Sequence, residues 1–367
     1  MSRNSRTRAA AVVALALASA ACDTGTVPDI PQEFDAQAAI QDYQAMESVL
    51  QSDDLSSFHA LGARTPFGSA PAAIGAIGDM QSFGTADGGR AYAGRLARRM
   101  LSARTETSDG PAAGPIISGW HRGSTFVYDP EVDEYRPDLT LEGAPETGVR
   151  FILYEVDEEG TPILDAKVGY ADLIDEGDGS VEDIVLRLQV VLNGVTRLEY
   201  RITLDHDATS GALTVDGFLV GEEATLDFAV SLAASNVDGV EQGELTFDFG
   251  VEERGFSVVG RVSGIEENDD GSGSVELDIR HGNHRLQVSV TSENGVLDGT
   301  VSLNGEAFAT ITGPAEDPVI ADAGGEPLTL SELQALHRAV HVVGHVFKFV
   351  EDVLDPVDEI VLLGFIL

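Results

Sequence analysis

From about Ile116 to Thr312 apolar and polar residues alternate. LDFAVSL (226–232) places Leu226, Phe228, Val230 and Leu232 on one side and Asp227, Ala229 and Ser231 on the other. ELTFDFGV, SVELDIRH, RLQVSV and GTVSLNG keep the same period of two. This is the pattern of strands buried on one face. Asn193-Gly194, Asp216-Gly217, Asp238-Gly239, Asp270-Gly271, Asn294-Gly295 and Asn304-Gly305 punctuate the strands. Such dipeptides supply the positive φ angles of tight hairpins. With no helical period between them, the strands predict an antiparallel meander of roughly a dozen strands. A sheet of that size must curl, close or fold into two layers.

The flanks change period. In EFDAQAAIQDYQAMESVLQ (33–51), Ile40, Tyr43, Met46 and Leu50 recur at helical spacing. A second helix is predicted over GRAYAGRLARRMLSAR (89–104), whose five arginines form the one basic stretch. It can face anionic headgroups or the chain's own acidic surface, and the size of the opposing charge favours the latter. After Pro327, Thr329-Leu330-Ser331-Glu332 fits a capping box. Leu336, Val340, Val343, Phe347, Val350 and Leu354 then step by four and three, widened by Val342, Val346, Phe349 and Val353. Such a helix lies across an apolar surface, most simply the open face of the sheet. The chain ends in IVLLGFIL, a last apolar strand or a buried tail.

The predicted architecture is therefore mainly β. It is a large curled antiparallel meander, an open barrel or a two-layer sheet, with N-terminal helices and a C-terminal amphipathic helix packed on it. Residues 1–21 read as a signal peptide, 22–32 as a tether and 33–112 as a helical and Gly/Ala-rich segment. Residues 113–318 form the β domain, and 319–367 the C-terminal helix and apolar tail. Transmembrane barrels also alternate, but they carry aromatic girdles, and this chain has one Trp, seven Tyr and acids throughout. Trp120 is expected in a core or rim position at an early strand.

The N-terminus adds a location. Arg3, Arg6 and Arg8 precede an apolar run over residues 9–18, and small residues follow. That is the order of a secretory signal, and the run is short of the about 20 residues a transmembrane helix needs. Ser19-Ala20-Ala21-Cys22 resembles the lipobox of bacterial lipoproteins, although Ser19 stands where that family prefers Leu. The resemblance implies cleavage before Cys22, a covalent diacylglycerol on its thiol, and attachment to membrane lipid in the cell envelope. Ordinary cleavage after Ala20, giving a secreted soluble protein, is the alternative. Cys22 is the only cysteine; a lone thiol in an exported chain builds no disulfide framework and needs another reason.

Net charge is −40, and loss of the three signal-segment arginines would make it −43. This excludes a nucleic-acid binder that works by neutralising phosphates. High negative charge implies solubility, cation attraction and self-repulsion.

Two groups of residues could carry metal chemistry. His337, His341 and His345 are spaced i, i+4, i+8 on the final helix, so neighbouring pairs could clamp zinc or copper, with Asp352 in the same sector. Arg338 and Lys348 mark that sector as the solvated side. Asp205, Asp207 and Asp216 partly resemble a calcium loop, but Gly211 falls one place late for an EF-hand. The acidic turns at 175–179 and 267–271 are weaker versions of the same idea. No serine elbow or Gly-rich phosphate loop is present in the sequence. The sequence therefore points to a lipid-anchored envelope protein that acts as a non-enzymatic binding or structural module. Its expected partners are membrane lipid and either an envelope protein or an apolar ligand held between sheet and helix. A carboxylate-dependent envelope hydrolase, assisted by calcium, is the alternative.

Overall fold

The computed structural model describes residues 116–350, apart from short breaks in turns and in the last helix, and parts of 35–61. Strands dominate it. In chain order they are β1 (Ser124–Asp129), β2 (Glu134–Asp138), β3 (Gly148–Val156), β4 (Pro162–Asp175), β5 (Asp183–Leu192), β6 (Val195–His206) and β7 (Ser210–Val220). They continue as β8 (Thr225–Val237), β9 (Val240–Val251), β10 (Phe256–Glu267), β11 (Asp270–His281), β12 (His284–Glu293), β13 (Val296–Leu303), β14 (Glu306–Pro314) and β15 (Val319–Asp322).

All fifteen belong to one sheet, in the order β15 through β3 and then β1 and β2, and the sheet is not closed. From β3 onward each strand neighbours the next in sequence, as the short turns dictate. The exception to the predicted antiparallel pattern is β1, which pairs parallel with β3 through Ser124–Val149 and Phe126–Phe151. The β1–β2 hairpin leaves β2 on the edge, and the link over 139–147 returns the chain to the free side of β1. Edge strand β2 carries Glu134, Arg136, Pro137 and Asp138, residues that discourage pairing with another chain. The predicted β domain ended at 318; β15 extends the sheet to Asp322.

Three of the expected turns have the required backbone. Asn193, Asn294 and Asn304 have φ of 50–53°, and Gly194, Gly295 and Gly305 are also positive, which is the type I′ signature. Asp216-Gly217 instead lies inside β7, with Gly217 opposite Tyr200. Asp270 already pairs with Glu267 and so belongs to β11. Asp238-Gly239 lies outside the described residues.

Two compact units divide the chain, with the division inside β8 at Ala229 and Val230. In the unit holding β1–β7, Phe126, Tyr135 and Phe151 form an aromatic cluster with ring centres 5.0–5.9 Å apart. Val149, Leu173, Leu186, Tyr200, Ile202 and Val215 continue its core. In the unit holding β9–β15, Phe247, Phe249, Val258, Ile279 and Leu286 are buried on one face. The alternation of LDFAVSL is as read: Leu226, Phe228, Val230 and Leu232 are all buried, and Asp227 and Ala229 are exposed.

The second unit also contains two helical pieces. At the N-terminal one, which runs through the described residues of 37–44, the Asp35 carboxylate accepts from the Ala38 N–H at 2.9 Å, an N-cap. Ala39 and Asp42 are its buried positions; Tyr43, Met46 and Leu50 lie outside the described residues. The C-terminal helix runs through the described residues of 330–350. Its capping box is formed: the Thr329 N–H donates to Glu332 Oε2 at 2.7 Å, and the Glu332 N–H approaches Thr329 Oγ1 at 3.4 Å. Leu336, Ala339, Val342, Val346 and Val350 are each no more than 5% exposed, so this stripe is packed. Trp120 is not in the core: it stands 91% exposed, in the turn before β1. The basic stretch 89–104 and the tail 360–367 lie outside the described residues.

Candidate functional site

The charged residues of the first unit are gathered into rows by strand register. Arg150 on β3 lies opposite Asp172 on β4, Asp172 opposite Gln189 on β5, and Gln189 opposite Glu199 on β6. Arg150 donates through Nε and one terminal nitrogen to the two Asp172 oxygens, both at 2.7 Å. Its guanidinium also sits 3.7 Å from the Tyr170 ring centre, a cation–π arrangement. The Asp172 side chain is only 6% exposed. A buried carboxylate requires such a partner, and Asp172 in turn holds the Arg150 proton more tightly than usual.

The next row places Arg187 opposite Arg201 and Arg201 opposite Asp216. Two arginines face to face repel, and carboxylates answer them. Glu176 lies 2.7 Å from Arg187 and 3.6 Å from Arg201, and Glu199 lies 3.7 Å from Arg187. Glu199 also accepts from Gln189 at 3.1 Å. Asp216 differs from these acids: burial pushes its carboxyl pKa up, against the pull of Arg201 and with a further push from Glu199.

A carboxyl group with a raised folded-state pKa favours the folded state below its unfolded value, and that advantage is lost as pH rises through the raised value. Asp216→Asn should therefore be more stable than the parent near pH 7, with the gain disappearing in acid. Urea unfolding at pH 3 and pH 7 measures this.

In the second unit Arg285 grips Asp278 through two contacts of 2.7 and 2.8 Å, and Arg280 adds a third at 3.0 Å. Both guanidinium groups hold the Asp278 carboxyl below its ordinary range, Arg285 most strongly. Asp42, from the N-terminal helix, meets Arg254 at 3.1 Å. His281 Nδ1 lies 2.5 Å from its other oxygen, without an aligned hydrogen bond. The two turns supplying these partners lie side by side, joined by a Gly282 N–H to Gly255 O bond of 2.9 Å. Both glycines have positive φ, 57° and 59°, a conformation a side chain would strain.

The residues singled out in the sequence fare differently. Asp205 pairs with Ala212, whereas Asp216 lies opposite Arg201, four residues along the strand and so about 13 Å away at strand rise. The β6–β7 register thus keeps Asp205 and Asp216 apart, and Asp207 lies outside the described residues. Asp175, the last residue of β4, is a clasp: its Oδ2 accepts from the Ile116 N–H at 2.8 Å and from Arg122 at 3.1 Å. Its Oδ1 accepts from the Gly177 N–H at 3.1 Å. On the C-terminal helix, the His337 and His341 ring centres are 4.8 Å apart and those of His341 and His345 6.1 Å. Among the described residues no three His, Cys, Asp or Glu side chains converge as a metal cluster would require. Cys22 and Asp352 lie outside the described residues.

The paired charges were not individually legible in the sequence. Arg254 and Asp42 are 212 positions apart, and no local pattern links them. Alternation assigns Arg150, Asp172 and Glu199 to the polar side, but only register decides which charge meets which.

What the fold and these residues define is a mainly β protein built on one open mixed sheet, whose polar face carries mutually paired charges. The chain matches no family model, and comparison with curated proteins and with solved structures found no match either.

Proposed function

We propose that the chain is a lipid-anchored cell-envelope protein whose β-sheet units serve as a non-enzymatic structural or binding module. The observation that carries this reading is the position of the only cysteine, Cys22, directly after a short apolar run preceded by three arginines. That order fits export followed by acylation of the thiol. Dual acylation or one chain plus a second signal gives stable attachment, and a diacylglycerol supplies two chains. Among the described residues no helix is long and apolar enough to cross a membrane.

Two observations favour a module over an enzyme. The arginines of the sheet's polar face are spent on its own carboxylates, an arrangement that orders strands. The buried stripe of the C-terminal helix is packed, which favours a solid contact over an enclosed apolar ligand. Fractionation of expressing cells tests the anchor. The parent should sediment with membranes and be released by detergent, whereas Cys22→Ser should appear in the soluble fraction. A Cys22→Ser protein that stays with the membrane rejects the anchor.

One observation supports the hydrolase alternative: the raised Asp216 carboxyl beside Glu199 resembles the unequal carboxyl pairs that divide acid and base roles. On that reading Asp216→Asn abolishes a hydrolytic activity; on the module reading it changes only stability.

A further inference from the structure

We propose that His337 and His341 form a two-imidazole binding site for a divalent transition metal, copper(II) before zinc(II), on the exposed side of the C-terminal helix. The two residues are one helical turn apart and share a face. Two imidazoles on one ion at 90–110° have ring centres roughly 4.5–5.2 Å apart, given metal–nitrogen bonds of about 2.0–2.1 Å and about 1.1 Å from nitrogen to ring centre. The observed separation is 4.8 Å, with the ring planes at 90° to each other, so the centres already lie inside that interval and only rotation of the rings is needed to turn a nitrogen of each toward one ion. His341 and His345, at 6.1 Å, fall outside it, so the pair is the site and solvent completes the coordination.

His337 Nδ1 is buried with no hydrogen-bond partner among the described residues, so an ion open to solvent is reached through the other ring nitrogen, Nε2, and not through Nδ1. A further feature points the same way. Gly344 is exposed in the same helix, and a Cβ there would meet nothing within 4 Å. Packing therefore does not require glycine, although glycine costs a helix about 1 kcal/mol relative to alanine. Helical side chains lean toward the preceding turn, so a side chain at 344 would lie over His341; glycine leaves that ring uncovered.

Electrostatics set the strength. Arg338, exposed and three residues before His341, opposes a cation, while the net charge of −40 attracts one. The balance gives affinity in the micromolar range, with copper(II) favoured over zinc(II) by the Irving–Williams order.

Isothermal titration of the untagged full chain in detergent, with copper(II) and then zinc(II), tests the site, with electron paramagnetic resonance on the copper sample. One ion per chain and a spectrum showing nitrogen ligands are expected. His341→Ala should weaken binding at least about tenfold, equivalent to 1.4 kcal/mol; this residue is exposed, and circular dichroism confirms that the helix persists. Cys22→Ser, which removes the only thiol, should leave affinity unchanged, and Gly344→Leu should lower it. Absence of saturable binding by the parent below about 100 μM, or an unaltered affinity and spectrum in His341→Ala, overturns the proposal.

Discussion

Arg150→Met is expected to destabilise the unit holding β1–β7 by about 3–5 kcal/mol, the range for stranding one member of a buried ion pair. Asp172, with a side chain 6% exposed, would lose both 2.7 Å contacts. The arginine's stacking on Tyr170 would go as well. Arg150→Lys should recover only part of the loss, because an ammonium cannot make the two parallel bonds of a guanidinium. Arg150→Met combined with Asp172→Leu should be far closer to the parent than the single variant, since removing both charges removes the desolvation problem. Urea unfolding of the three variants reads the difference. A single variant within 1 kcal/mol of the parent would mean that Asp172 is solvated.

The second large effect is expected at a glycine. Gly217→Ala should cost about 3 kcal/mol or more, at or beyond the upper end of ordinary overpacking. A Cβ at 217 would stand 1.8 Å from the Glu199 carbonyl oxygen and 3.0 Å from the Phe228 ring. A ring can tilt, but that carbonyl belongs to the neighbouring strand and cannot withdraw without opening the β6–β7 ladder. Gly250→Ala is the matched control, a strand glycine on β9 whose Cβ would meet nothing within 4 Å. There the substitution should be neutral or slightly stabilising, through a less mobile unfolded chain. Thermal unfolding of both variants separates the clash from any general intolerance of alanine in strands.

Gly217 also shows where sequence reading stopped. Asp216-Gly217 reads as a hairpin turn because the dipeptide has turn chemistry, yet here glycine serves close approach of two backbones. Asn193-Gly194, Asn294-Gly295 and Asn304-Gly305 were legible because both positions adopt positive φ, which few other residues tolerate. The one-sided burial of Leu226, Phe228, Val230 and Leu232 was legible for a similar reason, since strand periodicity directly encodes a face. The parallel β1–β3 pair was not, because it depends on where the nine-residue link over 139–147 sends the chain. Trp120 misled because a large apolar side chain predicts burial on average, and nothing local marks it as exposed. Among the charged residues, side was legible and partner was not: Arg150 meets Asp172, and Arg187 meets Glu176, only after register is set.

The anchor is the central claim, and the chemical state of the mature N-terminus tests it most directly. Intact-mass analysis of the protein extracted from membranes should show a chain beginning at Cys22 and carrying a covalent diacylglycerol. A mature chain beginning at Ala21, after ordinary cleavage, with an unmodified Cys22 thiol, would contradict it.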